Sequence, residues 1–246
     1  MNITARQDTI RMVIDILSTL VEEAKFNFKE DKLEIRVIDP SHVAMISMEV
    51  DSAAFEAWQV DETELGLLLP KISKLVQLAA PGDLIDIQFN DTAGRVEFEV
   101  GEIKRTIRPL DEKNIPEPNL PGVEMSNSAT LSGPKFARSL KAADQVGDLA
   151  TFSIDPNKFS VTVSADSDAV NVSYEAGELE DLNCSEPAKS QYSLQYLLPL
   201  AKRIETSVES VTANFGENKP LRLEFEFADG GGKVIYFLAP RVEGDV

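Results

Sequence analysis

The side chains able to do acid–base, nucleophilic or metal chemistry are few in this sequence. A single histidine, His42, occurs in 246 residues. It follows a turn-forming Asp-Pro-Ser and precedes an apolar run in the stretch IDPSHVAMI, residues 38–46. A histidine that acts as a general base needs a nucleophile or an orienting carboxylate, and only Asp39 is close in sequence, itself a turn residue beside Pro40. The pattern therefore disfavours catalysis at His42.

A second candidate for chemistry is the acidic stretch ADSDA, residues 165–169. Asp166 and Asp168 have the spacing of an acidic metal site for phosphodiester cleavage. No further ligands cluster with them in sequence, and Asp-Ser-Asp is also typical of a hairpin turn, which we favour. No Gly-x-x-x-x-Gly-Lys nucleotide loop occurs. The sequence thus predicts no enzymatic activity, no metal and no cofactor, and a metal-dependent phosphodiesterase stays the weakest alternative.

Charge and composition limit the compartment and the partners. The chain has 24 Lys and Arg against 42 Asp and Glu, a formal charge of -18, which repels nucleic acid and membranes unless the basic residues gather on one face. One cysteine, Cys184, cannot form an internal disulfide, and the N-terminus lacks the features of a signal peptide. No apolar run approaches the roughly 20 residues that cross a bilayer. We expect a soluble cytosolic or nuclear protein.

The elements that would position such side chains are many short strands and a few short helices. Alternating apolar residues predict strands at residues 95–100, 102–108, 221–227 and 233–238, separated by short turns. Apolar residues at helical spacing predict helices at the N-terminus and over residues 70–81, 134–143 and 197–204. The predicted fold is α+β, with antiparallel sheets covered by helices on one face.

The chain divides into two similar halves. Residues 110–128 carry several prolines and no helical or strand period, which predicts an extended linker. Residues 32–48 and 158–174 both indicate strand, turn, strand, and residues 67–89 resemble residues 197–215, with Pro70 matched to Pro199. We therefore predict two duplicated domains, and the expected boundaries are residues 1–111, a connector over 112–127, and residues 128–246.

Positive charge is concentrated on the predicted helices. Three of the four carry basic residues and no acidic ones: Lys71 and Lys74; Lys135, Arg138 and Lys141; Lys202 and Arg203. The first helix is mixed, with Arg11 among Asp8 and Asp15. Such faces are often merely solvated, but helices that share one surface would hold a polyanion by its phosphates without reading its sequence.

The order of several motifs identifies a family. IDPSHVAMI, the linker ending in NLPG, the stretch KPLRLEF that begins at Lys219, and YFLAPR at residues 236–241 resemble the archaeal and eukaryotic sliding clamp, proliferating cell nuclear antigen. The resemblance covers essentially the whole chain. It implies a DNA-clamp fold and a homotrimeric ring that encircles double-stranded DNA without sequence preference, with helices towards the hole, sheets outside and no catalysis.

The resemblance also implies partners and site residues. A clamp loader would open the ring, and DNA polymerase, flap endonuclease and DNA ligase would dock through Gln-x-x-aliphatic-x-x-aromatic-aromatic peptides. The implied DNA-facing residues are Arg11, Lys71, Lys74, Arg138, Lys141, Lys202 and Arg203. The first helix, which carries Arg11, departs from the family pattern because it has less positive charge. The implied peptide groove comprises His42, Val43, Met45, Asn119, Leu120, Pro121, Pro220, Phe237, Ala239 and Pro240. The implied subunit interface comprises Ile103, Lys104, Arg105, Thr106, Arg108, Val170, Val172 and Tyr174.

The competing interpretation from a different class is a DNA-independent scaffold, a homo-oligomer that gathers proteins through its surface grooves. A loaded clamp raises polymerase processivity, whereas a scaffold does not. As a clamp the protein would lie in the cytoplasm at the nucleoid of an archaeon or in the nucleus of a eukaryote.

Overall fold

The computed structural model describes residues 1–242. The elements of the first half are β1 (Asn2–Arg6), α1 (Gln7–Leu17), β2 (Glu23–Phe28), β3 (Lys32–Ile38), β4 (Ala44–Asp51), β5 (Ala57–Gln59), β6 (Thr63–Leu68), α2 (Leu69–Val76), β7 (Leu84–Asn90), β8 (Arg95–Val100) and β9 (Ile103–Ile107). The elements of the second half are β10 (Asn127–Ser132), α3 (Gly133–Ala143), β11 (Leu149–Asp155), β12 (Lys158–Ser164), β13 (Ala169–Glu175), β14 (Asp181–Cys184), β15 (Ala188–Ser193), α4 (Leu194–Ile204), β16 (Ser210–Phe215), β17 (Leu221–Phe227) and β18 (Gly232–Leu238).

The chain forms two compact units. Unit 1 comprises residues 1–119 and 227–234, and unit 2 comprises residues 120–226 and, within the described range, 235–242. The division after Asn119 falls inside the predicted connector. Residues 227–234, which the sequence analysis assigned to the second domain, belong to unit 1 instead.

Each unit contains one five-stranded and one four-stranded antiparallel arrangement. In unit 1 the strand orders are β5-β1-β7-β8-β9 and β4-β3-β2-β6. In unit 2 they are β14-β10-β16-β17-β18 and β13-β12-β11-β15, although the last residue of β17 and residues 232–234 of β18 are counted in unit 1. Position by position, the second pair of orders repeats the first, as the sequence patterns of the two halves suggested.

The helices begin in the same way in both units. In each case the backbone N–H of the first helical residue donates to the carbonyl just before a strand, at 2.8 or 2.9 Å. The four pairs are Gln7 to Asp83, Leu69 to Glu22, Gly133 to Glu209 and Leu194 to Asp148. These bonds satisfy N–H groups that a helix leaves without internal partners. They attach the start of each helix to the strand that follows the other helix of the same unit.

The cores are built from the apolar stripes of the helices and the inward positions of the strands. In unit 1, Ile10 of α1 and Ile72 of α2 are buried with Ile3 of β1 and Phe98 of β8. In unit 2, four aromatic rings from β11, β12, β15 and β16 pack edge to face with centroids 5.3 to 6.5 Å apart. Burial of these side chains leaves the opposite helix faces to solvent.

The proline match proposed between the halves is wrong. Pro70 lies in the first turn of α2, where its missing N–H has no helical partner to lose. Pro199 lies inside α4, five residues after the first helical residue. The match aligned the Leu-rich sequences that precede the two prolines, and this shifted α2 relative to α4. Both predicted helices are present.

Candidate nucleic-acid and partner-binding surfaces

The exposed face of the helix pair in unit 1 carries little net charge. Arg11 is exposed, and its Nε lies 3.6 Å from Asp15 Oδ2 one turn later. Lys71 and Lys74 are exposed on α2, which has no acidic residue. Asp8 occupies the first turn of α1. The three cations of unit 1 that were predicted to contact DNA are therefore exposed to solvent, but Arg11 is already paired with Asp15.

The helix pair in unit 2 is more basic. Arg138 of α3 and Lys202 and Arg203 of α4 are exposed, and neither helix contains an acidic residue. Lys141 Nζ lies 2.5 Å from Oε2 of Glu205, the residue that follows α4. The face therefore carries exposed ammonium and guanidinium groups suited to phosphate oxygens.

Lys135, the remaining cation of α3, points away from this role. Its Nζ donates to the Glu178 carbonyl at 2.7 Å and lies 5.6 Å from the centroid of the Tyr174 ring. Tyr174, a predicted interface residue, is in turn bonded to α3, since its hydroxyl lies 2.9 Å from Ser139 Oγ and 3.2 Å from the Lys135 carbonyl. These contacts attach the outer strand β13 to the helix.

Two outermost strands carry the residues predicted to join subunits. β9 is the last strand of the five-stranded sheet of unit 1, and β13 is the last strand of the four-stranded sheet of unit 2. Ile103 is 42% exposed although it is apolar, and Val170 and Val172 are half-buried. An outer strand presents backbone N–H and C=O groups to a further strand.

The charged residues of β9 are partly used within unit 1. Lys104 Nζ lies 2.8 Å from Glu99 Oε2 on β8. Arg105 donates from Nη1 to the Lys71 carbonyl at 3.1 Å. Thr106 and Arg108 are exposed.

The acidic stretch 165–169 forms the β12–β13 turn, as predicted. The Ala165 N–H donates to the Asp168 carbonyl, and the Ala169 N–H donates to Asp168 Oδ1, each at 2.8 Å.

Within residues 1–242, no group of three or more His, Cys, Asp or Glu side chains is arranged to hold a metal ion. No helix in this range is long and apolar enough to span a bilayer. Burial raises the pKa of the half-buried Cys184 thiol.

His42 belongs to a turn organised by Asp39. The buried Asp39 carboxylate accepts backbone N–H groups from Ser41 at 2.9 Å, Val43 at 2.7 Å and Ala44 at 2.6 Å. The His42 N–H donates to the Asp39 carbonyl at 2.9 Å, and its φ of 58° lies in the left-handed region, which a turn of this kind requires. The imidazole is exposed.

The other residues of the predicted peptide groove are divided between the units. In unit 1, Val43 is half-buried, and Met45, paired with Ile38 across β3 and β4, is buried. Asn119 ends the first segment of unit 1 and is exposed. In unit 2, Leu120 and Pro121 are exposed, Phe237 is buried, and Pro220, Ala239 and Pro240 are half-buried.

The start of the connector is anchored to unit 1 by residues that the sequence analysis did not identify. Ile115 is buried against Gly66 of β6, where an added Cβ would lie 2.8 Å from Ile115 Cδ1 and 2.9 Å from the Leu110 carbonyl oxygen. The Leu110 N–H donates to the Gly66 carbonyl at 2.8 Å. Only glycine allows so close an approach, and a glycine inside the apolar run LGLLLP was the available signal.

A polar contact continues this anchor two residues further along. Glu117 accepts from Asn27 Nδ2 at 3.1 Å and lies 3.3 Å from Lys25 Nζ. Lys25 also lies 2.8 Å from Glu64. Hydrogen bonding to Glu64, and then to Glu117, raises the pKa of Lys25, so the ammonium is charged throughout the neutral range.

The two α+β units repeat one order of strands, and each carries a pair of helices and an outer strand, which is the duplicated architecture of a DNA clamp. The model of the proliferating cell nuclear antigen N-terminal domain matches residues 4–110. The DNA polymerase sliding clamp of Natronomonas pharaonis is 33% identical over 241 residues, 97% of each chain, and that of Haloarcula marismortui is 32% identical over 247 residues, 99% of each. A solved structure of A. fulgidus PCNA bound to the C-terminal region of FEN-1 superposes with a TM-score of 0.94 at 27% identity, covering 99% of both chains.

This chain therefore belongs to the proliferating cell nuclear antigen family of DNA polymerase sliding clamps. It is a processivity factor of DNA replication.

Proposed function

We propose that three copies of this chain close into a ring around duplex DNA and that the ring holds partner proteins through a peptide-binding surface. The observation that carries the proposal is the pair of outer strands, β9 in unit 1 and β13 in unit 2. Joining two different edges is a heterologous contact, which closes into a ring when the rotation permits. Family membership supports three copies and the encircled DNA.

Comparison of the repeated units supports β9 and β13 as partners. By their place in the repeat, β9 corresponds to β18, and β13 corresponds to β4. Within unit 1, the N–H of Asp51 at the end of β4 donates at 2.8 Å to the carbonyl of Gly231, the residue before β18. The counterparts of β9 and β13 therefore meet through a backbone hydrogen bond in this chain, and we propose that β9 and β13 repeat that pairing between subunits.

Thr106 offers a test that spares the internal sheet. β8 and β9 join through a two-residue loop, with Val100 opposite Ile103. In such a hairpin these two residues form a hydrogen-bonded pair, and successive pairs along the strands then alternate between non-hydrogen-bonded and hydrogen-bonded. Thr106, opposite Glu97, then directs its N–H away from β8. Thr106→Pro removes that outward donor and should give monomers at low micromolar concentration in sedimentation velocity.

Thr106→Val is the matched control, because it keeps the N–H, and it should remain trimeric. Thr106→Pro chains that stay trimeric, with an unchanged circular dichroism spectrum, would reject β9 as the joining strand. Loading of the wild-type ring on primed circular DNA by a clamp loader should lengthen the products of a DNA polymerase. A DNA-independent scaffold would leave them unchanged.

We assign phosphate contact to Lys71, Lys74, Arg138, Lys141, Lys202 and Arg203, with Arg11 contributing least. These side chains belong to helix faces that are exposed in both units. Contacts through charge alone, some of them through water, would be weak and independent of sequence, as a sliding ring requires.

We assign partner binding to His42, Val43 and Met45 of unit 1 with Asn119, and to Leu120, Pro121, Pro220, Phe237, Ala239 and Pro240 of unit 2. The proposed ligand is a Gln-x-x-aliphatic-x-x-aromatic-aromatic peptide, whose apolar side chains fall on one face of a helical turn. The solved A. fulgidus protein carries a FEN-1 segment. For this chain we propose a flap endonuclease, DNA polymerase and DNA ligase as partners, a clamp loader as the opener of the ring, and, given archaeal relatives, the cytoplasm around the nucleoid as its location.

Leu120 is the residue best suited to test peptide binding, because it is apolar and 42% exposed. Replacing Leu120 and Pro121 by serine should weaken such a peptide by about 2 kcal/mol, as for a central anchor, in isothermal calorimetry. Leu78→Ser, at a residue that is 59% exposed and outside the assigned set, is the control and should leave affinity unchanged. Equal affinity for all three proteins would move the peptide site elsewhere.

A further inference from the structure

Unit 1 contains a groove beside the His42 turn that the assigned peptide residues do not occupy. The groove has a volume of about 630 Å³. Four parts of unit 1 form it: the loop between α1 and β2 with the first residue of β2, the end of β3 with the turn after it, the end of β6, and the start of the connector. His42 is the one assigned peptide residue that also lines it, so the groove continues from the proposed peptide surface.

The walls of the groove are fixed by backbone contacts. The Glu22 carbonyl accepts the Leu69 N–H at 2.8 Å, which holds the loop after α1. The Asp39 carboxylate holds the turn after β3 through three backbone N–H groups. Ile115 is buried under Gly66, which holds the connector wall. A groove built from anchored segments needs little ordering when a ligand binds.

The groove combines an apolar floor with an acidic rim. Leu20, Val21, Ile38 and Leu68 are half-buried within it. Glu22 and Glu23 are exposed at the rim, no Lys or Arg lines the groove, and neither carboxylate lies within ion-pair distance of a cation in residues 1–242. The combination favours a ligand with an aliphatic side chain next to positive charge.

Comparison with unit 2 indicates that the groove is not a by-product of the repeated fold. The counterpart of Val21, two residues before β2, is Gly147, two residues before β11. An added Cβ at Gly147 would lie 3.1 Å from Val163 Cγ1 of β12, so the loop and the strand approach closely there.

We propose that this groove binds a basic flank of a partner peptide, in which an aliphatic residue is followed by two lysines or arginines. The aliphatic side chain lies on the floor beside Ile38, and the cations pair with Glu22 and Glu23. The inference rests on the proposed peptide binding and extends its footprint past His42. It gives the clamp a means of preferring partners by their flanks, since a motif core common to all partners cannot discriminate among them.

The test uses three labelled synthetic peptides with one Gln-x-x-aliphatic-x-x-aromatic-aromatic core. One is the bare core, and the others carry Leu-Lys-Lys at the N-terminal or the C-terminal end. Fluorescence anisotropy with the assembled wild-type protein should show one extended peptide binding about three- to tenfold more tightly than the core, as expected for two exposed ion pairs with an apolar contact. Glu22→Gln with Glu23→Gln should remove most of that gain, leaving only the apolar contribution, and leave core binding unchanged.

Asp61→Asn with Glu62→Gln is the matched control, because it removes the same charge from exposed acids of unit 1 outside the groove. The gain should survive in this variant. Loss of the gain in both variants would mean nonspecific attraction to a chain of net charge -18 and would overturn the proposal. Absence of any gain with intact core binding would overturn this inference alone, whereas failure of the bare core to bind would overturn the proposed peptide-binding function.

Discussion

The helix pairs of the two units share a backbone plan and differ in the side chains that they present to solvent. The pair α1 and α2 carries Arg11, Lys71 and Lys74 against Asp8 and Asp15, whereas α3 and α4 carry five cations and no acid. Both pairs bury an apolar stripe and begin with the same type of backbone hydrogen bond. The fold thus constrains the buried face of each helix and the residue at which the helix begins. The solvent-exposed face is free to vary in charge. We infer that unit 2 supplies most of the attraction for phosphates.

The largest expected effect comes from exchanging the first helical residues of α1 and α3. Gly133→Gln introduces the residue found at Gln7, but a Cβ at Gly133 would lie 2.3 Å from the Val208 carbonyl oxygen. Backbone cannot yield as a side chain does, so unfolding in guanidinium should show a loss of about 3 kcal/mol or more. Gly122→Ala is the control, because nothing lies within 4 Å of a Cβ there. Equal stability of the two variants would show that the α3 start can move.

The second effect concerns the basic faces of both units. Alanine at Lys74, Lys141 and Lys202 should reduce DNA-stimulated loading and flatten its salt dependence, by about one unit of the log–log slope for each phosphate that is no longer neutralised. Alanine at Lys158, Lys189 and Lys233, which lie on strands, is the control with the same charge change. A slope that falls equally in both triple variants would indicate general electrostatics, not helix contact.

The smallest effect should separate α1 from the other helices. Because Asp15 pairs with Arg11, Arg11→Ala should change DNA-stimulated loading by less than about twofold, as for an exposed residue already in an ion pair. Asp15→Asn should raise loading slightly, since it releases Arg11 and removes a negative charge. A large loss with Arg11→Ala would place α1 among the main DNA contacts and weaken the inferred contrast between the units.

Local patterns predicted most of the elements and fewer of the contacts. The 3.6-residue and two-residue periods were sufficient for the four helices and for β8, β9, β17 and β18, because burial on one face determines both the period and the element. The same patterns misplaced Pro199, since an apolar run does not mark where a helix begins. The contact between Gly66 and Ile115 joins residues far apart in sequence, and neither neighbourhood contains a sign of the other.

The candidate sites show the same limit. The segregation of cations on α2, α3 and α4 was visible in the sequence, but the pairing of Lys141 with Glu205 was not. The turn that precedes His42 was correctly predicted from Asp39, Pro40 and Ser41, because Asp-Pro-Ser favours one. The acidic rim at Glu22 and Glu23 escaped notice because those residues appear as an ordinary solvated loop until the end of β3 and the connector are placed beside them.

The membership of residues 227–234 in unit 1 has a consequence for dissecting the protein. A fragment ending at Asn119 would lack Gly231, whose carbonyl accepts the Asp51 N–H, and the end of β4 would lose its neighbour. An uncovered strand edge promotes association between chains. Recombinant production of unit 1 alone therefore calls for a permuted gene, in which the segment 227–234 is fused ahead of Met1 through a short flexible spacer.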